Sequence, residues 1–207
     1  LYWHDRSWVL KFISMKSNHY DLTVAAHNQF HVNHPKKWVG DSTVHYKDQI
    51  KELVDKYQAH SLLDYGCGKA LHYTRDPVLN FGTEEHHKTF DEFLGVQEVY
   101  KYDPCVPEFS ILPPAGKKFD AVILIQCISL VPDDDIPWVK QLLMEHTGKF
   151  CFIGNRHPSD AVKPIKAQLT ANKEYFKATR TVKWYEEQFA DWVGSELVFC
   201  FMNGENQ

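Results

Sequence analysis

The chain has no Cys-x-x-Cys pair, no internal repeat, no low-complexity tract and no long apolar run. Each absence removes a class of protein. Its five cysteines, spread over 207 residues, make neither a disulfide framework nor a zinc ribbon, and free thiols in a reducing cytosol are the expectation. No stretch approaches the ~18 apolar residues of a membrane span. The opening "LYWHDRSWVLKF" lacks the basic-then-apolar layout of a signal peptide. A cytoplasmic location and no membrane partner follow as expectations, and the missing initiator Met suggests a trimmed start. An excess of basic charge is also lacking. With 23 Lys and Arg against 27 Asp and Glu, the net charge is -4, which argues against generic coating of nucleic acid. A nucleic-acid partner is left open but not indicated, and nothing in the sequence speaks to oligomeric state.

What remains is the composition of an ordinary soluble domain, 43% hydrophobic and 24% charged. Residues 1–40 are rich in aromatics and His with weak periodicity. Asp41 or Ser42 can cap a helix carrying Val44, Ile50, Leu53, Val54 and Tyr57 at helical spacing. "SLLDYG", "QEVYKYDP", "FDAVILIQ" and "GKFCFIG" read as strands, and "ELVFCFM" as a last one. "EEHHKTFDEFLG" and "PDDDIPWVKQLLMEH" read as helices, the first stopping at Gly95. Strands alternating with helices imply a doubly wound α/β sheet.

In such a sheet, ligands bind beyond the carboxyl ends of the strands, where the strand order reverses. Asp64, Gly66 and Gly68 fall at the end of the first strand, with a helix expected to follow and present its N–H groups. Three readings compete. A dinucleotide fingerprint needs a third Gly where Leu71 stands, and a phosphate-gripping loop needs Gly and Ser or Thr where Leu63 and Ala70 stand. A plain tight turn in a structural domain is the second. The third rests on a likeness.

"LLDYGCGKA" resembles motif I of the class I S-adenosylmethionine-dependent methyltransferases, acid-x-Gly-x-Gly, with Ala70 at the common third Gly. "KKFDAVILIQ" resembles that family's fourth strand, and "VPDDDIPWV" and "GKFCFI" resemble the segments that follow it in small bacterial and phage members carrying "DYGCGKG" and "YDP". The likeness spans about residues 42–155. It implies that Asp64 sits near the methionine end of S-adenosylmethionine and that Gly66, Cys67 and Gly68 cradle it. It also implies that Asp103, ending "VYKYDP", binds the ribose hydroxyls, and that Tyr73 and Gln126 complete the cofactor set. The interval from Gly68 to Asp103 exceeds the ~20 residues usual before a ribose acid, and "TRDPVLNFGTEEHH" accounts for the excess. The implied fold is a Rossmann-like doubly wound sheet of the class I methyltransferase type. It would have five parallel strands plus one late strand at Glu196–Met202 and a reduced C-terminal edge. Residues 1–41 would be a lid or substrate cap, and 42–207 the methyltransferase domain.

The departures bear on chemistry. Where relatives carry Asp-Val-Leu-Glu-His after the fourth strand, this chain has Gln126, Cys127, Ile128, Ser129 and Leu130, and a later His is replaced by Phe176. No catalytic residue is named on this basis. Methyl transfer from a sulfonium depends mainly on positioning the acceptor. The acceptor is unidentified; Lys163, Lys166, Lys173, Lys177, Arg180 and Lys183, against Asp160 and Glu174, suggest an acidic one, although a solvated helix face explains the same run. The alternative function is a non-catalytic S-adenosylmethionine-binding or interaction protein. His27, His31 and His34 share a helical spacing but lack a completing ligand, so no metal is expected. Trp184 and Tyr185 are expected in the core rather than as a stacking platform.

Overall fold

A computed structural model describes residues 15–76, 78–157, 182–192 and 198–203. The basic run from 160 to 180, Phe176 and the start of the predicted late strand lie outside the described residues.

Among the described residues, five strands form one sheet in the order β2-β1-β3-β4-β5. They are β1 (Ser61–Tyr65), β2 (Glu98–Tyr102), β3 (Phe119–Ile125), β4 (Thr147–His157) and β5 (Val198–Asn203). β1 to β4 are mutually parallel, and the late strand adds to β4, also in parallel. This corrects the expected count. Four parallel strands, not five, precede the late strand among the described residues, one for each of the four runs read as strands before it. The coarse class, a Rossmann-like α/β sheet, stands.

Alternation explains the layers. Leu63, Tyr65, Val122, Leu124, Cys151 and Ile153 face a core shared with helices α4 (Ile136–His146) and α5 (Val182–Gln188) and with Tyr20. Leu62, Ala121, Ile123, Ile125, Phe150 and Phe152 face the opposite core, which Ile50 and Val54 of α2 (Lys47–Tyr57) and Phe90 and Leu94 of α3 (Phe90–Leu94) complete. Both faces are therefore covered, as a parallel sheet requires. Tyr185 is 2% exposed and Trp184 packs against the same core.

Three local expectations change. The helix expected from residue 41 begins as a 3₁₀ turn, Asp41–His45, and becomes α-helical only at Lys47. "EEHHK" is not helical; α3 starts after Thr89, whose capping box with Glu92 outcompetes an earlier start, and ends on Gly95 at φ +78. Most of all, residues 18–33 form a long helix, α1 (Asn18–Asn33), capped by the Ser17 hydroxyl accepting from Tyr20 N–H. No helix among the described residues is long and apolar enough to cross a membrane.

After β1 the chain turns to β2 on one side, then crosses to β3 on the other. The order reverses between β1 and β3, and in open α/β sheets ligands bind in the crevice beyond the carboxyl ends at such a point.

Candidate functional site

Tyr65 ends β1, and the next residues curl back on themselves. Gly66 and Gly68 have φ of +85 and +59, and Ala70 has +54. The left-handed turns at 66 and 68 are those that glycine adopts without strain. The N–H groups of Gly66 and Cys67 donate to the Tyr102 carbonyl at 2.6 and 3.1 Å, tying the loop to the end of β2. Gly68 N–H donates to Asp103 Oδ2 at 2.9 Å. Lys69 N–H and Leu71 N–H donate to the carbonyls of Trp38 and Val39, both at 2.9 Å, and Ala70 N–H to Cys67 O at 3.1 Å.

The expected helix does not follow. A single 3₁₀ turn, Leu71–Tyr73, is succeeded by the insertion and only then by α3. The insertion buries Leu79 and Phe81 against Phe90 in the α2-side core, and that anchorage replaces a helical continuation. The consequence is chemical. A phosphate cradle needs unspent N–H groups at a helix N-terminus, and this loop has spent each one from Gly66 to Leu71 on its own protein.

The side chains that converge on the loop are acids. Asp64 is 1% exposed and Asp103 6%. Asp64 Oδ2 accepts from the Tyr73 hydroxyl at 3.0 Å and lies 2.9 Å from His72 Nε2. Asp103 accepts from Gly68 N–H on Oδ2 and from Cys105 N–H on Oδ1, at 2.8 Å. Burial pushes the Asp103 carboxyl up, the two N–H groups pull it down, and the charge of Asp64 pushes it up again. Two carboxylates at the tips of adjacent strands make the crevice negative.

Of the residues expected to act together, Asp64 with Tyr73 and Gly68 with Asp103 are in direct contact. Cys67 is buried within the loop, its thiol 3.6 Å from Gly68 O and pushed well up by burial and by the charge of Asp64. Gln126 stands apart. Its backbone is left-handed at φ +61, its N–H donates to Gly154 O at 2.7 Å and its amide donates to the Tyr46 hydroxyl at 3.1 Å. The neighbour Cys127 is the one that meets the loop: its thiol donates to Gly66 O at 3.3 Å, and a Cβ at residue 66 would lie 2.4 Å from its sulfur. Burial and the two acids hold that thiol protonated, so neither cysteine is an activated nucleophile.

The sequence pointed to residues 1–41 as a cap but named none of the contacts they make. A Cβ at residue 68 would lie 2.4 Å from Trp38 O, and Lys69 Nζ is held by the carbonyls of His34 and Lys37 at 2.9 and 2.6 Å. Helix α1 reaches across the same end of the sheet. Ser17 N–H and hydroxyl donate to Asp135, after β3, at 2.6 and 2.7 Å, and Asn28 donates to Cys105 O, after β2, at 3.0 Å. Its His27, Phe30 and His31 rings pack on Trp38 with centroids 4.1–5.3 Å away. The histidines are thus packing residues, and burial lowers both to about 4. Among the described residues, no group of three or more His, Cys, Asp or Glu is placed to hold a metal ion.

No family model, curated protein or solved structure matches the chain.

Proposed function

We propose that the protein binds S-adenosylmethionine over the carboxyl ends of β1 and β2, beside the crevice between β1 and β3, and transfers its methyl group to an acceptor. The observation that carries this reading is the pairing of two buried carboxylates, Asp64 and Asp103, around a glycine loop whose N–H groups are already spent. Such a site repels phosphate and attracts cations and hydroxyl donors. S-adenosylmethionine offers a sulfonium, an ammonium and two ribose hydroxyls, with one carboxylate as its only anion and no phosphate. Nicotinamide dinucleotides and ATP offer phosphates and need the helix terminus that is missing here.

The roles follow from lone pairs. A carboxylate has about four acceptor sites. Asp103 uses two on Gly68 and Cys105 N–H and turns another toward the Cys105 thiol, so the ribose hydroxyls take what remains and compete with that thiol. Asp64 carries the charge complementary to the methionine end. The α1 helix and residues 34–40 cap the crevice and exclude water, which a displacement at a sulfonium favours. The cofactor, when bound, supplies the activated methyl group; this chain's residues position it. The methyl acceptor is not identified.

A second reading, a non-catalytic binder of the same ligand, is favoured by the tip of β3. Gln126 is bonded to Tyr46, the Cys127 thiol is held protonated, and the Ser129 hydroxyl donates to Gln126 O at 3.4 Å. None of these is a free base for an acceptor. Calorimetric titration separates the readings from their rivals. Both predict that S-adenosylmethionine and S-adenosylhomocysteine bind, while ATP and NAD do not. Tight binding of either phosphate-bearing nucleotide, with none of the sulfur nucleosides, would overturn both, and release of S-adenosylhomocysteine on turnover with an acceptor separates the enzyme from the binder.

A further inference from the structure

His72 is the most enclosed polar residue at the site, 0% exposed, yet no sequence motif calls for it. Its Nε2 lies 2.9 Å from Asp64 Oδ2. A carboxylate only accepts, so Nε2 carries the proton. The other ring nitrogen, Nδ1, is buried and has no hydrogen-bond partner. It is pressed against Gly40, where a Cβ would lie 1.7 Å away. The one hydrogen bond this buried ring makes therefore goes to Asp64.

The Tyr73 hydroxyl donates to the same oxygen, Oδ2, at 3.0 Å. Two donors from one short turn converge on one carboxylate oxygen. That fixes the plane of the carboxylate and leaves the lone pairs of Oδ1 to another group. Asp103, by contrast, takes one main-chain donor on each of its oxygens.

We propose that His72, assisted by Tyr73, is the positioning residue that aims Asp64 at the ammonium group of the bound nucleoside's amino-acid end. This rests on the reading of the crevice as an S-adenosylmethionine site. Gly40 serves the arrangement by giving the imidazole a seat that no larger residue leaves open.

The test compares two ligands by calorimetry: S-adenosylhomocysteine, which has the ammonium, and methylthioadenosine, which lacks the amino-acid end. A hydrogen bond to a charged group is worth about tenfold in affinity or more. His72→Leu is expected to weaken S-adenosylhomocysteine by about tenfold or more and methylthioadenosine by less than about twofold. His72→Gln, which keeps an N–H donor, is expected to recover most of the loss. Tyr73→Phe, at a less buried position, gives the same selectivity at about threefold and decides the matter if His72→Leu does not fold. Equal losses for the two ligands in folded variants, or no loss for S-adenosylhomocysteine, overturn the proposal. Failure of the unaltered protein to bind either ligand overturns the underlying reading, and the proposal with it.

Discussion

Replacing Asp103 by Asn tests whether one carboxylate holds the loop and waits for the ligand at once. Its two oxygens accept from two main-chain donors, Gly68 N–H at 2.9 Å and Cys105 N–H at 2.8 Å, in a side chain 6% exposed. An amide has one acceptor oxygen, so its NH₂ must face one of those N–H groups. The variant loses one charge-assisted bond, worth about 1.5–3 kcal/mol, and weakens the other. It also leaves a buried donor unsatisfied, for a total of roughly 2–4 kcal/mol. In a chain of this size each kcal/mol moves Tm by about 2–4 °C, so a fall of roughly 5–15 °C is expected. Affinity for S-adenosylhomocysteine should fall about ten- to a hundredfold, measured where the variant is still folded. Calorimetric unfolding and titration of the same sample read both effects. A stability loss under about 0.5 kcal/mol would refute the geometry. A loss of stability with affinity within about threefold would refute the ribose role alone.

Two further outcomes follow from the N-terminal cap. Gly68→Ala forces a left-handed residue with a Cβ 2.4 Å from Trp38 O, so it should cost at least about 1–2 kcal/mol in urea unfolding and speed tryptic cleavage at Lys36 and Lys37; unchanged cleavage would contradict the contact. His27 and His31, lowered to about 4 from 6.5 by burial, protonate more readily in the unfolded chain. Their contribution is complete above pH 6.5 and is lost as pH falls toward about 4, by roughly 2–3 kcal/mol for His27; His27→Gln should flatten urea stability between pH 7 and pH 5, and an unchanged slope would show that His27 is not buried neutral.

The strands were legible because burial on both sheet faces demands continuous apolar runs, and "FDAVILIQ" and "GKFCFIG" have no other use. Helix α1 was not. Its buried stripe is Tyr20, Thr23, His27 and His31, a largely polar set in which Tyr20 joins the core beside Trp138 and the two histidines pack on Trp38. The order acid-Gly-Gly picked out the tight loop that ends β1. It did not disclose that Gly68 and Asp103, 35 residues apart, bond directly, since the insertion hides the distance. Nor did it disclose that the turn after Ala70 stays 3₁₀, because Leu71 to Tyr73 alone do not say where Leu79 and Phe81 will anchor. His72 was invisible for a simpler reason: a histidine's role is set by what it faces, and Asp64 and Gly40 meet it only in the fold.

The most direct measurement is a crystal structure of the chain with S-adenosylhomocysteine. The account predicts ribose hydroxyls within hydrogen-bond distance of the Asp103 carboxylate and the ammonium on Asp64, beneath residues 34–40. A ligand bound anywhere else on the sheet, or in the crevice without contact to either acid, would contradict it.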